Sequence, residues 1–265
     1  YDLRQTDIFW NAADPGWAYG LYCGILATLT TGTPAILFEG GFSAQATIDI
    51  IEKQKITNFA AAPTVYRSLR ADGVEISSRH RLRCLSSAGE PLTPEINEWA
   101  KAFFGLSVHD HYGQTETSMV INNHHHPDLK TNLRDGSMGK VMPGWSATVL
   151  KNDKDVPEEP GVPGRVAFIV SESPFSWFAG YIGNPKKSAE KFSKDGTYYL
   201  TGDTGSIDEN GYFYFSTRDD DVIIMAGYRI GPFEVESALS THEAVAECAV
   251  IATPDKVRGE VIEAF

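Results

Sequence analysis

Cysteine is scarce in this chain. Cys23, Cys84 and Cys248 are spread over 265 positions, with no pair spacing that suggests a disulfide framework or a metal knuckle. Each sits among apolar neighbours and is expected to be a reduced, packed thiol of a cytoplasmic protein. Basic residues are also few. Lys and Arg number 23 against 35 Asp and Glu, giving a net charge of −12 and a pI near 5.0. That excludes the basic surface on which non-specific nucleic-acid or anionic-membrane binding depends. No apolar run is long enough to span a bilayer. Residues 21–29 are apolar but short, and Thr28, Thr30 and Thr31 interrupt their continuation. Signal-peptide patterns, internal repeats and low-complexity segments are not found. The chain opens on Tyr1 and closes inside an apolar stretch, residues 261–265, so a segment of a longer protein is expected.

What is present fits a soluble globular protein, 42% hydrophobic and 22% charged, long enough for one large or two modest domains. Asp14-Pro15-Gly16-Trp17 makes a turn before a mostly apolar helix. Strands are expected at residues 34–38, 56–61, 82–85 and 106–110. Between them come helices: one capped by Ser43 and running to about Lys55 with Ile48, Ile50 and Ile51 inward, one from Pro63 to Arg70, and one from Pro94 to Phe104 capped by Thr93. Strands alternating with helices imply a doubly wound, mainly parallel α/β sheet. Near Pro127 the texture turns to glycine, proline and short strands at 138–150, 164–170, 197–200 and 212–215, a small β-rich, barrel-like subdomain. After Arg218 a strand at 222–225, a helix from Pro232 to about Ser240 and a strand at 245–251 begin a third unit. The expected domains are 1–127 (α/β), 128–217 (β-rich) and 218–265 (hinge and start of an α+β domain).

His109-Asp110-His111-Tyr112-Gly113-Gln114-Thr115-Glu116-Thr117 carries the densest chemistry. It follows the apolar run 103–108, so it is expected as a turn after a buried strand, at the carboxyl edge where open α/β sheets bind ligands. Tyr112 offers a flat face for a base, Thr115 a hydroxyl for a phosphate oxygen, and Glu116 a carboxylate for a hard cation. Such a loop alone is nearly as well explained as ordinary surface. His124-His125-His126 is expected as a solvated loop, since three adjacent imidazoles cannot all point at one ion and no Cys or Glu completes a site.

Upstream lies Ser86-Ser87-Ala88-Gly89-Glu90-Pro91-Leu92. Downstream come Tyr199-Leu200-Thr201-Gly202-Asp203, Arg218-Asp219-Asp220-Asp221 and Gly227-Tyr228-Arg229-Ile230-Gly231-Pro232. In this order and spacing, the set resembles the adenylate-forming superfamily, nearest its medium-chain acyl-CoA synthetases, from about Asp7 to Phe265. The resemblance implies that Gly89, Glu90 and Pro91 wall an adenine slot and that Tyr112 stacks on the other face. Asp110 or the adjoining backbone would read the exocyclic amine, with His111 and Gln114 counted among the nucleotide contacts. Asp203 and Arg218 match ribose ligands, Thr115 the phosphate position, Glu116 the Mg²⁺ position, and Arg229 a basic residue that contacts phosphate. Asp220 matches a domain hinge and Gly227 a glycine near the coenzyme A tunnel. Gly113 and Trp17 would line the acyl pocket, leaving it open to acids longer than acetate. The pattern departs at Thr217, where the family usually has glycine. The phosphate loop would precede Tyr1, and the C-terminal lysine would follow Phe265.

The implied activity is an ATP-dependent, AMP-forming acyl-CoA ligase using Mg²⁺ and coenzyme A on a short- or medium-chain carboxylic acid. No nucleic-acid partner or stable membrane insertion is expected, and a homo-oligomer stays open. The alternatives are an adenylation domain loading a carrier protein and a non-catalytic nucleotide-binding fragment.

Overall fold

The structure, a computed structural model, describes residues 1–218, 221–225, 228–242, 244–245, 248–255 and 258–265, and of Arg229 only the backbone. By its contacts the chain divides into two units, Tyr1–Lys140 and Val141–Phe265.

The first unit runs β1 (Phe9–Asn11), a π-helical segment Tyr19–Leu26 continuing into α1 (Ala27–Thr31), β2 (Ala35–Ile36), α2 (Ala44–Lys53), β3 (Asn58–Ala61), α3 (Pro63–Ala71), β4 (Cys84–Ala88), α4 (Pro94–Phe104), β5 (Val108–Gln114), β6 (Ser118–Asn122) and β7 (Ser137–Val141). The strands lie in the order β2-β1-β3-β4-β5-β6-β7. The first five are parallel to one another, and β6 returns antiparallel to β5. The chain steps outward from β1 to β2 and then back past β1 to β3. Right-handed crossovers therefore put the first connection on one face and the later helices on the other. Alternation along the strands agrees. Phe9 and Ala60 pack with Tyr19 and Cys23 of the π segment. Trp10 and Phe59 pack with Ile48, Ile51, Tyr66, Leu69, Ile96 and Ala100 of α2, α3 and α4. This is the doubly wound sheet expected.

Local signals act as expected in α2, where the Ser43 hydroxyl accepts from the Ala46 N–H at 3.3 Å and Ile48 and Ile51 are buried. Thr93 corrects the reading of α4: its side chain makes no cap bond, and Pro94 at the first turn is the start signal that operates. Two further corrections concern strands. β1, only three residues long, was not expected. The strand expected at 106–110 starts at Val108 and runs on to Gln114, so the polar residues 111–114 are themselves strand rather than a turn after one.

The second unit holds β8 (Ala147–Leu150), β9 (Gly164–Ile169), a 3₁₀ turn Val170–Glu172, α5 (Pro185–Ala189), β10 (Tyr198–Ile207) and β11 (Phe213–Arg218). Their order is β11-β10-β9-β8, antiparallel throughout, an open row rather than the barrel expected. The tip joining β10 to β11 is organised by Asp208. Its backbone N–H bonds the Tyr212 carbonyl at 2.9 Å, and its carboxylate accepts from the N–H groups of Asn210 and Tyr212. β12 (Ile223–Met225), β13 (Tyr228–Ile230), α6 (Pro232–Leu239), β14 (Val250–Asp255) and β15 (Gly259–Ala264) follow, with sheet order β13-β12-β15-β14. The strand expected at 245–251 begins only at Val250. Cys23 and Cys84 are buried free thiols and Cys248 is half-buried.

Candidate nucleotide site

In the first unit the carboxyl ends of β4 and β5 lie side by side, with Ser87 opposite Asp110 and Ala88 opposite His111. The loop Gly89-Glu90-Pro91 leaves β4 at this level. Gly89 takes φ +96°, a conformation that needs glycine, and nothing lies within 4 Å of where its Cβ would be. The Glu90 carboxylate is turned back onto α3, where Thr64 Oγ1 donates at 2.7 Å and Arg67 Nη2 at 2.6 Å.

Asp110 and His111 are buried. Burial pushes the Asp110 carboxyl up to about 8, opposed by the N–H groups of His111 and Leu92. Its Oδ1 finds no partner among the described residues, nor do the two ring nitrogens of His111. Burial holds the His111 imidazolium well below its ordinary range. A polar cluster buried in this way is unusual unless a ligand or water satisfies it.

β5 and β6 form a hairpin with an irregular register between Tyr112 and Gly113. There the strands approach so closely that a Cβ on Gly113 would overlap the Ser118 carbonyl. The Gln114 carbonyl accepts from the Thr117 N–H at 3.1 Å, and Thr117 Oγ1 donates to the Ser118 carbonyl at 3.0 Å. Ser118 adopts φ +61°. Thr117 is thus buried inside the turn, Thr115 is exposed and Glu116 half-buried. Tyr22, from the π segment, donates its hydroxyl to the Thr115 carbonyl at 3.0 Å across 93 residues of sequence. Sequence reading missed Tyr22, Thr64 and Arg67, because no local pattern marks contacts between distant elements. Trp17 is 74% exposed.

The histidine run also differs from expectation. His126 is exposed, but His125 stacks on His109 with ring centroids 3.7 Å apart, and its Nε2 lies 3.0 Å from Ser86 Oγ. Burial lowers His109 to about 4 and His125 to about 2. Among the described residues, no cluster of three His, Cys, Asp or Glu is placed to hold a metal.

In the second unit Asp203 on β10 and Arg218 at the end of β11 are direct cross-strand partners. Asp203 is buried and Arg218 exposed. The Asp203 N–H donates to Thr201 Oγ1 at 3.1 Å, and Gly202 between them has φ +81°. Lys191 Nζ donates to the Thr201 carbonyl at 2.8 Å, a contact not foreseen. Thr217, the departure from the family pattern, is buried and donates to the Arg218 carbonyl. Arg229 lies on β13 opposite Ile224. Asp220 and Gly227 lie outside the described residues.

Fold and motifs together define an α/β protein whose first unit brings residues 89–91 and 110–117 to the carboxyl ends of neighbouring parallel strands. Comparison with known proteins specifies the class further. Residues 1–181 match the AMP-binding enzyme family, and residues 234–265 match the AMP-binding enzyme C-terminal domain. The chain belongs to the AMP-binding enzyme family. It is 40% identical over its whole length to the mitochondrial acyl-coenzyme A synthetase ACSM3 of Rattus norvegicus, covering 45% of that protein. It is 39% identical to the acetyl-coenzyme A synthetase of Bacillus subtilis, covering 46%. Among solved structures, a Brucella canis acyl-CoA synthetase shares 48% identity and superposes with a TM-score of 0.76 over 99% of this chain and 47% of its own. ATP-bound MatB of Rhodopseudomonas palustris shares 28% with a TM-score of 0.85, over 97% of this chain and 49% of its own. The chain thus spans about half the length of the relatives it matches.

Proposed function

We propose that the intact protein is an ATP-dependent acyl-CoA ligase, AMP-forming, acting in the cytoplasm on a short- or medium-chain carboxylic acid. In the first step a carboxylate oxygen attacks the α-phosphorus of ATP, and the bond to pyrophosphate breaks. In the second, the coenzyme A thiolate attacks the acyl carbonyl of the adenylate, and AMP leaves. The observation that carries this reading is the placement of the Tyr112–Thr117 sequence on a strand-and-turn beside the Gly89 loop, at the carboxyl ends of β4 and β5. The names of the relatives, acyl-CoA and acetyl-CoA synthetases, support it.

In this reading Tyr112 stacks on adenine against the Gly89-Glu90-Pro91 loop, and Asp110, His111 and Gln114 border the base. Asp110, held protonated at neutral pH by burial, has a proton to give to a ring nitrogen or an accepting edge. Asp203 and Arg218 hold the ribose, and Thr115 contacts phosphate. Glu116 suits Mg²⁺, because a single carboxylate on an accessible turn is enough for an ion that takes most of its ligands from substrate phosphates and water. When bound, that ion offsets charge on the phosphoryl oxygens. Arg229 adds positive charge, Asp220 serves as hinge, Gly227 borders the coenzyme A tunnel, and Trp17 and Gly113 border the acyl group. Among the described residues no helix is long and apolar enough to cross a membrane.

The test is pyrophosphate release by the intact protein over a series of straight-chain acids from acetate to decanoate, with and without coenzyme A. Acid-dependent release, with acyl-CoA formed only when the thiol is added, is expected. Release that ignores the acid, or no release with any acid, would overturn the proposal.

A further inference from the structure

Helix α3 grips the base-side loop at both ends. Tyr66 Oη donates to the Ser86 carbonyl at 3.0 Å inside the core. On the helix's first turn, Thr64 Oγ1 donates to the Glu90 carboxylate at 2.7 Å and Arg67 Nη2 donates to it at 2.6 Å. Arg67 Nη2 also donates to Thr64 Oγ1 at 2.8 Å, closing a triangle of three side chains. Thr64 and Arg67 are three residues apart, so one helix face presents both. Between the two grips lies Gly89 at φ +96°, with open space where a side chain would be.

The Glu90 carboxylate is therefore committed to α3. Its worth to overall stability is small, because the Arg67 and Glu90 side chains are 29% and 41% exposed and solvent screens such pairs. What the triangle fixes is position. Gly89 is free to turn, and the residue after it is tied by two donors to a helix whose own Tyr66 is anchored under the preceding strand. We infer that Thr64 and Arg67 are positioning residues for nucleotide recognition, holding through Glu90 the wall against which the base rests, without touching the nucleotide. This rests on the reading that the 89–91 loop borders the base.

The experiment uses the intact protein and two readouts: the Kd for a fluorescent ATP analogue, and acid-dependent ATP–pyrophosphate exchange. Arg67→Met and Glu90→Ala are each expected to weaken analogue binding about tenfold and to raise the KM for ATP alike, with kcat nearly unchanged. The double variant should bind no worse than Glu90→Ala alone, because that change already removes the Arg67 contact along with the Thr64 one. Arg67→Lys should recover part of the loss, and Tm should stay within about 2 °C of wild type. Unchanged Kd in the single variants, multiplying effects in the double, or a Tm fall beyond about 5 °C, the mark of a merely structural pair, would each overturn the inference. Wild-type binding without exchange would defeat the proposed reaction while leaving the α3 grip to be read from Kd. Exchange by the wild type with variants that bind normally would defeat the grip alone. A wild type that binds no analogue would defeat both.

Discussion

Within one turn, Thr117 is buried and engaged with backbone, Thr115 is exposed, and Glu116 stands between them, half-buried. A turn that hides one hydroxyl and offers the other beside a carboxylate is suited to a ligand that brings its own phosphates and cation. Glu116→Ala in the intact protein is therefore expected to lower acid-dependent pyrophosphate release by at least about 100-fold with Tm unchanged, as loss of a metal-holding carboxylate would. Near-normal release would remove Glu116 from the metal assignment. Tyr22 acts on the same turn from outside. Tyr22→Phe deletes only the hydroxyl that donates to the Thr115 carbonyl. One partly exposed hydrogen bond is worth about 1 kcal/mol, so kcat/KM for ATP should fall about fivefold. An unchanged kcat/KM would mean that the turn holds its shape without Tyr22.

Among the elements, α2 and α4 were legible because burial there repeats with the helical period and is announced by Ser43 and Pro94. β5 was legible only in its first half. Residues 109–111 are buried because the strand is central to the sheet, not because they are apolar, so hydropathy ended at Asp110 a strand that continues to Gln114. The pairing of Asp203 with Arg218 was legible as two motifs but not as one ladder, since register across a hairpin has no local signature. His125 was hidden for the opposite reason: a polar triplet reads as solvent-facing unless its partners, His109 and Ser86, are known. Gly113 carries a packing constraint besides the acyl-pocket role proposed for it. Its missing side chain faces the Ser118 backbone, so Gly113→Ala should push β6 away, costing about 1–3 kcal/mol. A lower Tm and reduced activity towards all acids alike are expected. A stable variant with a shifted chain-length preference would instead favour a role in the acyl pocket.

At the level of the whole molecule, the buried ionisable groups make stability depend on pH. His109 and His125, lowered to about 4 and about 2, and His111, also held low by burial, stay neutral when folded, whereas the unfolded chain takes up their protons near pH 6.5. Their contribution is complete above pH 6.5 and is lost as pH falls. Asp110 has the opposite sign. With its carboxyl raised to about 8, the folded state keeps a proton that the unfolded chain gives up near 3.8, and the associated stability is lost as pH rises towards 8. Between pH 4 and 6.5 the histidines outnumber the aspartate, and between 6.5 and 8 the aspartate is opposed by the Tyr1 ammonium, which burial lowers. Urea midpoints should therefore rise from pH 4.5 to 6.5, and above 6.5 they should fall more, or rise less, than those of Asp110→Asn. Each uncompensated proton tilts the curve by about 1.4 kcal/mol per pH unit. Equal slopes for wild type and Asp110→Asn above pH 6.5 would contradict a protonated Asp110. The hairpin of β10 and β11 has a consequence of another kind. Asp203 and Arg218 are held about 5 Å apart, backbone to backbone, by the ladder itself. The pairs that follow, from Thr204–Thr217 to Ile207–Phe213, belong to that ladder, whereas the tip around Asn210 and Gly211 lies beyond its last pair. The tip is thus a graft point, where an affinity tag or a fluorescent reporter can be spliced into the chain while the two charges keep their spacing.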